Sequence, residues 1–302
     1  MFTMFAMLKN SWENLVARVF RHAIAARCRR AGLRQQTMPM PYGSVAYLDN
    51  AAAGTAIVLL HDAGADKNSW LACAARFGRG QRLLILDLPG HGDSGADLEL
   101  EYDVHSQTER VLEFIEQLSL SQVHLIGNGL GSAIALRLAH WRPQLCVSLI
   151  LINVGGLPGP ASVLTTVLGT SGKDPLMDIG SLDDFKLLLE LSMYRVPYLP
   201  RPLLHLLARQ KIARHAIDLK IAADLRRDLD QSAVLAQLHL PTLIIWGADD
   251  KISHVDGAAL LHARISGSAL LIVPECGHLP MLEQAAVVAA RCTRFLAAFN
   301  AA

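Results

Sequence analysis

Charge, cysteine and long apolar runs are all scarce in this chain. Only 18% of the 302 residues are charged, and the formal net charge is +1. So balanced a composition gives bulk electrostatics no hold on nucleic acid. The five cysteines, Cys28, Cys73, Cys146, Cys276 and Cys292, are odd in number and contain no Cys-x-x-Cys pair. That excludes a fully paired disulfide framework and a thiolate zinc site, and it leans towards a reducing compartment. No apolar run reaches the roughly 18 residues of a membrane-spanning helix. Repeats and low-complexity tracts are missing too. What remains is a chain with 52% apolar residues, long enough to bury a sizeable core as one large domain or two ordinary ones.

The near-neutral total conceals an asymmetry. Residues 1–34 hold Lys9, Arg18, Arg21, Arg27, Arg29, Arg30 and Arg34 against one acid, Glu13; this segment is net +6 and the rest net −5. Phe2, Phe5, Leu8, Trp12, Leu15, Val19 and Ile24 recur at mostly helical spacing. The pattern predicts a basic amphipathic N-terminal helix, assigned to residues 1–38, for an anionic membrane surface. A transit peptide would share this composition. A helix packed on its own domain, or on a second copy in a homodimer, is the third reading.

Beyond a break at Pro39–Pro41, short apolar runs predict strands at Val45–Leu48, Ala56–Leu60, Leu83–Leu86, Val123–Ile126, Val147–Ile152, Leu243–Ile245 and Leu270–Val273. Helical patterns fall near 104–118, 130–141, 254–265 and 281–298. Apolar strands alternating with helices predict an α/β fold with a mostly parallel central sheet flanked by helices. Residues 156–236 interrupt the rhythm with Leu-rich helical pieces and Pro-rich breaks. They are read as a helical cap inserted between core segments 39–155 and 237–302.

Ligands in such sheets gather at the carboxyl ends of the strands. Five strand ends carry chemistry: His61-Asp62-Ala63-Gly64, Asp87 through Ser94, Gly127-Asn128-Gly129-Leu130-Gly131, Trp246 through Asp250, and Glu275-Cys276-Gly277-His278. Their order and placement resemble the α/β-hydrolase superfamily over about residues 40–299. The segment Trp246–Asp250, the segment Cys276–Leu282 and the Pro-Arg-Pro of the cap are similar to bacterial monoacylglycerol-lipase-like and membrane-anchored lipase and phospholipase members.

The resemblance implies a carboxylic ester hydrolase acting on a lipid or small ester, with no cofactor and no metal. It implies Asp250 as the acid that orients His278, and His278 as the base, with Asp249 as a solvent-facing neighbour. It implies oxyanion donors at the backbone N–H of Ala63 and Leu130. It also implies peripheral attachment to a membrane, on the inner-membrane or cytoplasmic side, with a cytoplasmic location as the alternative. His61 and His91 are read as shaping turns, and the other nine histidines show no metal-ligand spacing.

Two positions depart from the family pattern. The nucleophile slot of G-x-S-x-G is Gly129, and Asp62 replaces a glycine of the oxyanion loop. Ser132 lies too far along the next helix to substitute. Little or no ester turnover is expected from the chain as written, and a serine restored at 129 is expected to return it, hindered by Asp62 if that carboxylate faces the site. Three readings of Gly129 stay open. It is an incidental or engineered loss in an ordinary lipase, the mark of a pseudoenzyme that binds an acyl ligand or partner, or the room for water beside an Asp250–His278 general-base dyad. A separate class is a dinucleotide site, since Gly127-x-Gly129-x-x-Ser132 nearly matches G-x-G-x-x-G/A between strand and helix.

Overall fold

A computed structural model describes residues 2–78 and 80–299, with residues 2–13 described by backbone alone. The side chains of Phe2, Phe5, Leu8 and Trp12, expected on the apolar face of the first helix, lie outside that description. The helix itself, α1, runs Phe2–Arg30. It is followed at once by β1 (Arg34–Met40), which pairs antiparallel with β2 (Gly43–Asp49). Pro39 is therefore no break. It sits inside β1 opposite Ser44, on an outer strand where a missing N–H is tolerated. The boundary expected after residue 38 falls within this strand, which belongs to the sheet.

The remaining strands are β3 (Ala56–Leu60), β4 (Arg82–Leu86), β5 (Val123–Asn128), β6 (Cys146–Ile152), β7 (Thr242–Gly247) and β8 (Ala269–Val273). They form one eight-stranded sheet in the order β1-β2-β4-β3-β5-β6-β7-β8. It is parallel from β4 to β8, with β2 antiparallel to β4. Side chains alternate between the two faces of the sheet. Val58, Leu60, Leu84 and Leu125 pack with α3 (Val104–Gln117), α4 (Leu130–Trp141) and α9 (Asp256–Arg264). Ile57, Leu59, Ile85 and Ile126 pack with α2 (Leu71–Ala74), α10 (Pro280–Glu283) and α11 (Ala285–Leu296). This two-sided burial explains why the strands read as continuous apolar runs.

Between β6 and β7 lie α5 (Val163–Ser171), α6 (Leu182–Ser192), α7 (Arg201–Ile212) and α8 (His215–Leu225). Together they form the cap, with a small core of its own around Ile179, Phe185 and Ala208. Polar contacts fix the cap to the body. Lys211 Nζ donates to Gly64 O at 3.2 Å, Arg214 donates to Gly90 O, and the Tyr102 N–H donates to Asp224 at 2.9 Å. α1 lies alongside α7, while Ile24 and Cys28 reach the α2/α11 side of the core.

Candidate active site

The five strand ends converge as their positions along the parallel sheet require. β5 turns into α4 at Gly129, whose φ of +52° and ψ of −113° lie outside the comfortable range of residues with side chains. The turn is crowded. A Cβ on Gly127 would come within 2.3 Å of the Gly131 carbonyl carbon, and one on Gly131 within 2.2 Å of Leu60 O. Ser132 is wholly buried. Its hydroxyl donates to Gly127 O at 2.7 Å and accepts from the Ile152 N–H at 3.1 Å. It braces the turn and is no nucleophile.

Asp62 follows β3 and points inward. Its Oδ1 accepts from the Leu130 N–H at 2.7 Å, and its Oδ2 stands 3.1 Å from His278 Nε2. A Cβ placed on Gly129 would lie 1.9 Å from Asp62 Oδ1 and 2.2 Å from its carboxyl carbon. The carboxylate thus fills the space a side chain at 129 would need. A serine at 129 would require the Asp62 side chain to swing aside, so the hindrance expected of an inward-facing Asp62 applies.

His278 is buried between two acids. Its Nδ1 faces Asp250 Oδ2 at 2.7 Å, and the Asp250 carboxylate is itself buried. The other Asp250 oxygen accepts from the N–H groups of Ile252 at 2.8 Å and Ser253 at 3.1 Å. Asp249 is exposed. Burial opposes a charge on the imidazole. The charge and hydrogen bond of Asp250 outweigh it, followed by those of Asp62, and the His278 pKa is pushed up to about 10. Burial likewise opposes ionisation of Asp62, yet its hydrogen bond and charge contact with His278, with the Leu130 and Ala63 N–H groups, hold its pKa below the ordinary carboxylate value. His278 is thus held in its protonated form at neutral pH, between the side chains of Asp62 and Asp250.

This geometry weighs against two readings. A free Asp250–His278 general-base dyad needs a neutral imidazole with Nε2 open to water, whereas Nε2 here faces Asp62. A dinucleotide phosphate at the start of α4 would need the Leu130 N–H, which already holds the chain's own anion.

Several supporting residues were not singled out from sequence. Asn153, after β6, adopts φ +44°, donates to Asp250 and accepts from the Gly247 N–H at 3.3 Å. Asn128 donates to His278 O at 3.1 Å, and the His278 N–H donates to Ser192 O of the cap at 2.9 Å. Glu283 accepts from the N–H groups of Tyr194 and Gly277 at 2.7 and 2.9 Å, tying the His278 loop to the cap. An asparagine directly after an apolar strand was the available signal for Asn153, since Asn tolerates the left-handed region. His61 and His91 are buried in their turns with ring centroids 5.0 Å apart, and His61 Nε2 accepts from the Leu88 N–H.

Asp62, Ala63, Leu130 and His278 line a cavity of about 610 Å³ that extends beneath the cap past Leu164, Leu168, Leu176, Met177 and Leu229.

Residues 57–291 match the family model of the alpha/beta hydrolase family. The chain belongs to the α/β-hydrolase family. It is 29% identical to Lipase 1 of Psychrobacter immobilis over 241 residues, which cover 78% of this chain and 75% of that one. It is 26% identical to monoacylglycerol lipase abhd6-A of Xenopus laevis, over 81% of this chain and 76% of the other. Among solved structures, a membrane phospholipase A described as a bacterial virulence factor superposes with a TM-score of 0.92 at 29% identity, covering 99% of this chain and 97% of that one. Lipases and a phospholipase are thus among the α/β hydrolases to which the chain is similar. In an α/β hydrolase of the serine type the strand-to-helix turn presents the nucleophile. Here that turn presents Gly129, and a carboxylate from the neighbouring strand end occupies the space above it.

Proposed function

We propose that this α/β hydrolase binds the acyl portion of acylglycerol- or phospholipid-like molecules and hydrolyses carboxylic esters feebly or not at all. The observation that carries the reading is the Asp62 carboxylate lying over Gly129 on the Leu130 N–H, beside an apolar cavity of about 610 Å³. Acyl transfer needs both a nucleophile and free donors for the developing oxyanion. Gly129 supplies no nucleophile, and the Leu130 donor is already engaged. The cavity volume falls within the usual range for sites that enclose small ligands. The lipase and monoacylglycerol lipase relatives support an acyl ligand.

The membrane reading draws on the surface of α1. Arg18, Arg21, Arg27, Arg29 and Arg30 are exposed along it, as are Leu15 and Val19. Val163 and Leu168 of cap helix α5 are exposed as well, and Leu168 also lines the cavity. Among the described residues no helix is long and apolar enough to cross a membrane, so contact through α1 would be peripheral.

The test is titration of a non-hydrolysable monoacylglycerol ether into the full chain, followed calorimetrically. Saturable binding to one site is expected, and it should be lost in Leu229→Arg, which places a charge in the cavity wall. Absence of saturable binding, or binding untouched by Leu229→Arg, contradicts the reading.

A further inference from the structure

We propose that Arg226 is an anion subsite at the rim of the cavity, and that the ligand is a single-chain amphiphile with a carboxylate or phosphate head that enters tail first. The inference rests on the acyl-binding reading above and adds to it the head group and the direction of the chain.

Exposure tells the two ends of the cavity apart. His278 is buried at the inner end beside Asp62, and buried Leu130, Val154 and Trp246 line the cavity with them. The exposed part of the lining includes Pro158, Pro160, Thr165 and Leu168. Among the described residues, Arg226 is the one charged side chain of that exposed lining.

A charged head carried inward would find its donors taken. The Leu130 N–H donates to Asp62 Oδ1 at 2.7 Å, and the Ala63 N–H also favours the Asp62 charge. His278 Nε2 faces Asp62 Oδ2 at 3.1 Å, while Nδ1 faces Asp250 at 2.7 Å. An incoming anion would also meet the Asp62 carboxylate itself, which projects over Gly129. The polar groups of the inner end satisfy one another, and the wall beside them is apolar. Such an end suits hydrocarbon and opposes an unpaired charge.

At the rim the balance reverses. Arg226 caps the C-terminal end of α8. Its guanidinium is a permanent cation whose forked N–H groups match a carboxylate or a phosphate. The neighbouring Arg227 is engaged by Glu101 and Asp224, whereas no carboxylate among the described residues pairs with Arg226. The other titratable groups of the wall have partners. Asp174 Oδ1 accepts from the N–H groups of Leu176 at 2.9 Å and Met177 at 3.3 Å, and His254 Nδ1 stands 3.5 Å from Asp256. Leu225, buried and next to Arg226 in the chain, continues the same wall inward. A head held on Arg226 therefore leaves its chain on an apolar path towards the inner end.

The experiment titrates dodecanoate, dodecyl phosphate and the neutral 1-O-dodecylglycerol into the full chain at pH 7.5, each below its micelle concentration, followed calorimetrically. At least one anionic ligand is expected to bind roughly three- to tenfold tighter than the ether, the size of one partly exposed charge-assisted contact. The carboxylate and phosphate arms tell the two heads apart. Arg226→Gln is expected to bring the three affinities together, and Arg226→Lys to keep part of the difference; circular dichroism checks that both variants fold. Direction is read with dodecanoate carrying a diazirine near its methyl end. On irradiation the diazirine loses dinitrogen, and the carbene inserts into a bond of a neighbouring residue. Peptide mapping is expected to find the adduct on the peptides of Leu130, Val154 or Trp246, and not on residues 158–168. Ether binding as tight as that of both anions, a difference that survives Arg226→Gln, or adducts confined to residues 158–168 overturns the proposal and leaves the acyl-binding reading standing. Binding of none of the three ligands overturns both.

Discussion

At the scale of single residues, two positions define this site. The strand-to-helix turn carries Gly129, without a side chain, and the neighbouring strand end carries the Asp62 carboxylate. Each accommodates the other, since no Cβ fits at 129 while Asp62 holds its place. The charged state of the cluster is directly measurable. His278 should titrate near 10 in the folded chain, visible in the nitrogen shifts of its ring by NMR. Its folded pKa lies above the unfolded one, so its stabilising contribution is complete below about 6.5 and is lost as pH rises through about 10. Asp62→Asn removes one of the two carboxylates and should lower the His278 pKa. A ring that is neutral at pH 7.5 in the unaltered chain contradicts the assigned state.

Asp250 and His278 were legible in the sequence because each follows an apolar strand in the expected order, and the structure sets them 2.7 Å apart. The inward turn of Asp62 was not legible, because a loop carboxylate can face either water or the site. Its partners, the Leu130 N–H and His278, are distant in sequence.

At the scale of elements, the turn between β5 and α4 owes its shape to small residues and one buried hydroxyl. Ser132→Ala leaves the Ile152 N–H without its side-chain partner, and urea unfolding should record a loss of about 1–3 kcal/mol. No measurable loss would mean that the turn does not rely on this brace. The N-terminal helix was legible from its spacing, but its end was not. A proline in sequence argues for a break, whereas the hairpin register accepts Pro39 on the outer strand.

The packing of Ile24 and Cys28 on the core also makes deletion of residues 1–34 a poor probe of membrane binding, since the body would be stripped of contacts. Replacing the exposed Arg18, Arg21 and Arg27 by glutamine leaves that packing in place. Sedimentation with phosphatidylserine vesicles at low salt should weaken by about 1 kcal/mol per arginine removed. Sedimentation that is equal in both forms, or absent in the unaltered chain, contradicts a role for α1 at anionic lipid.

At the scale of the whole molecule, the parallel sheet brings five strand ends to one edge, and the cap closes over them. This much was written in the alternation of apolar runs with helices and in the interruption at residues 156–236. The joints between cap and body were not, because they join distant residues through backbone oxygens, as Lys211 does at Gly64 and His278 at Ser192. Within the body, a buried ion pair joins two of the strand-end loops. Lys67 Nζ lies 2.5 Å from Asp87, and both side chains are buried. Lys67→Met strands the Asp87 charge and should cost about 3–5 kcal/mol in urea unfolding. A loss below about 1 kcal/mol, the size of an exposed pair, would mean the pair is not effectively buried.

On the proposed function, Gly129 and Asp62 together keep an intact hydrolase fold from ester turnover. The decisive comparison is of p-nitrophenyl butyrate hydrolysis and fluorophosphonate labelling across the unaltered chain, Gly129→Ser, Asp62→Gly, and Asp62→Gly combined with Gly129→Ser. Labelling is expected in the double variant, with turnover at least about a thousandfold above the unaltered chain. Gly129→Ser alone should remain far below the double variant, because its side chain collides with Asp62. Equal ester turnover by the unaltered chain and the double variant would contradict the claim.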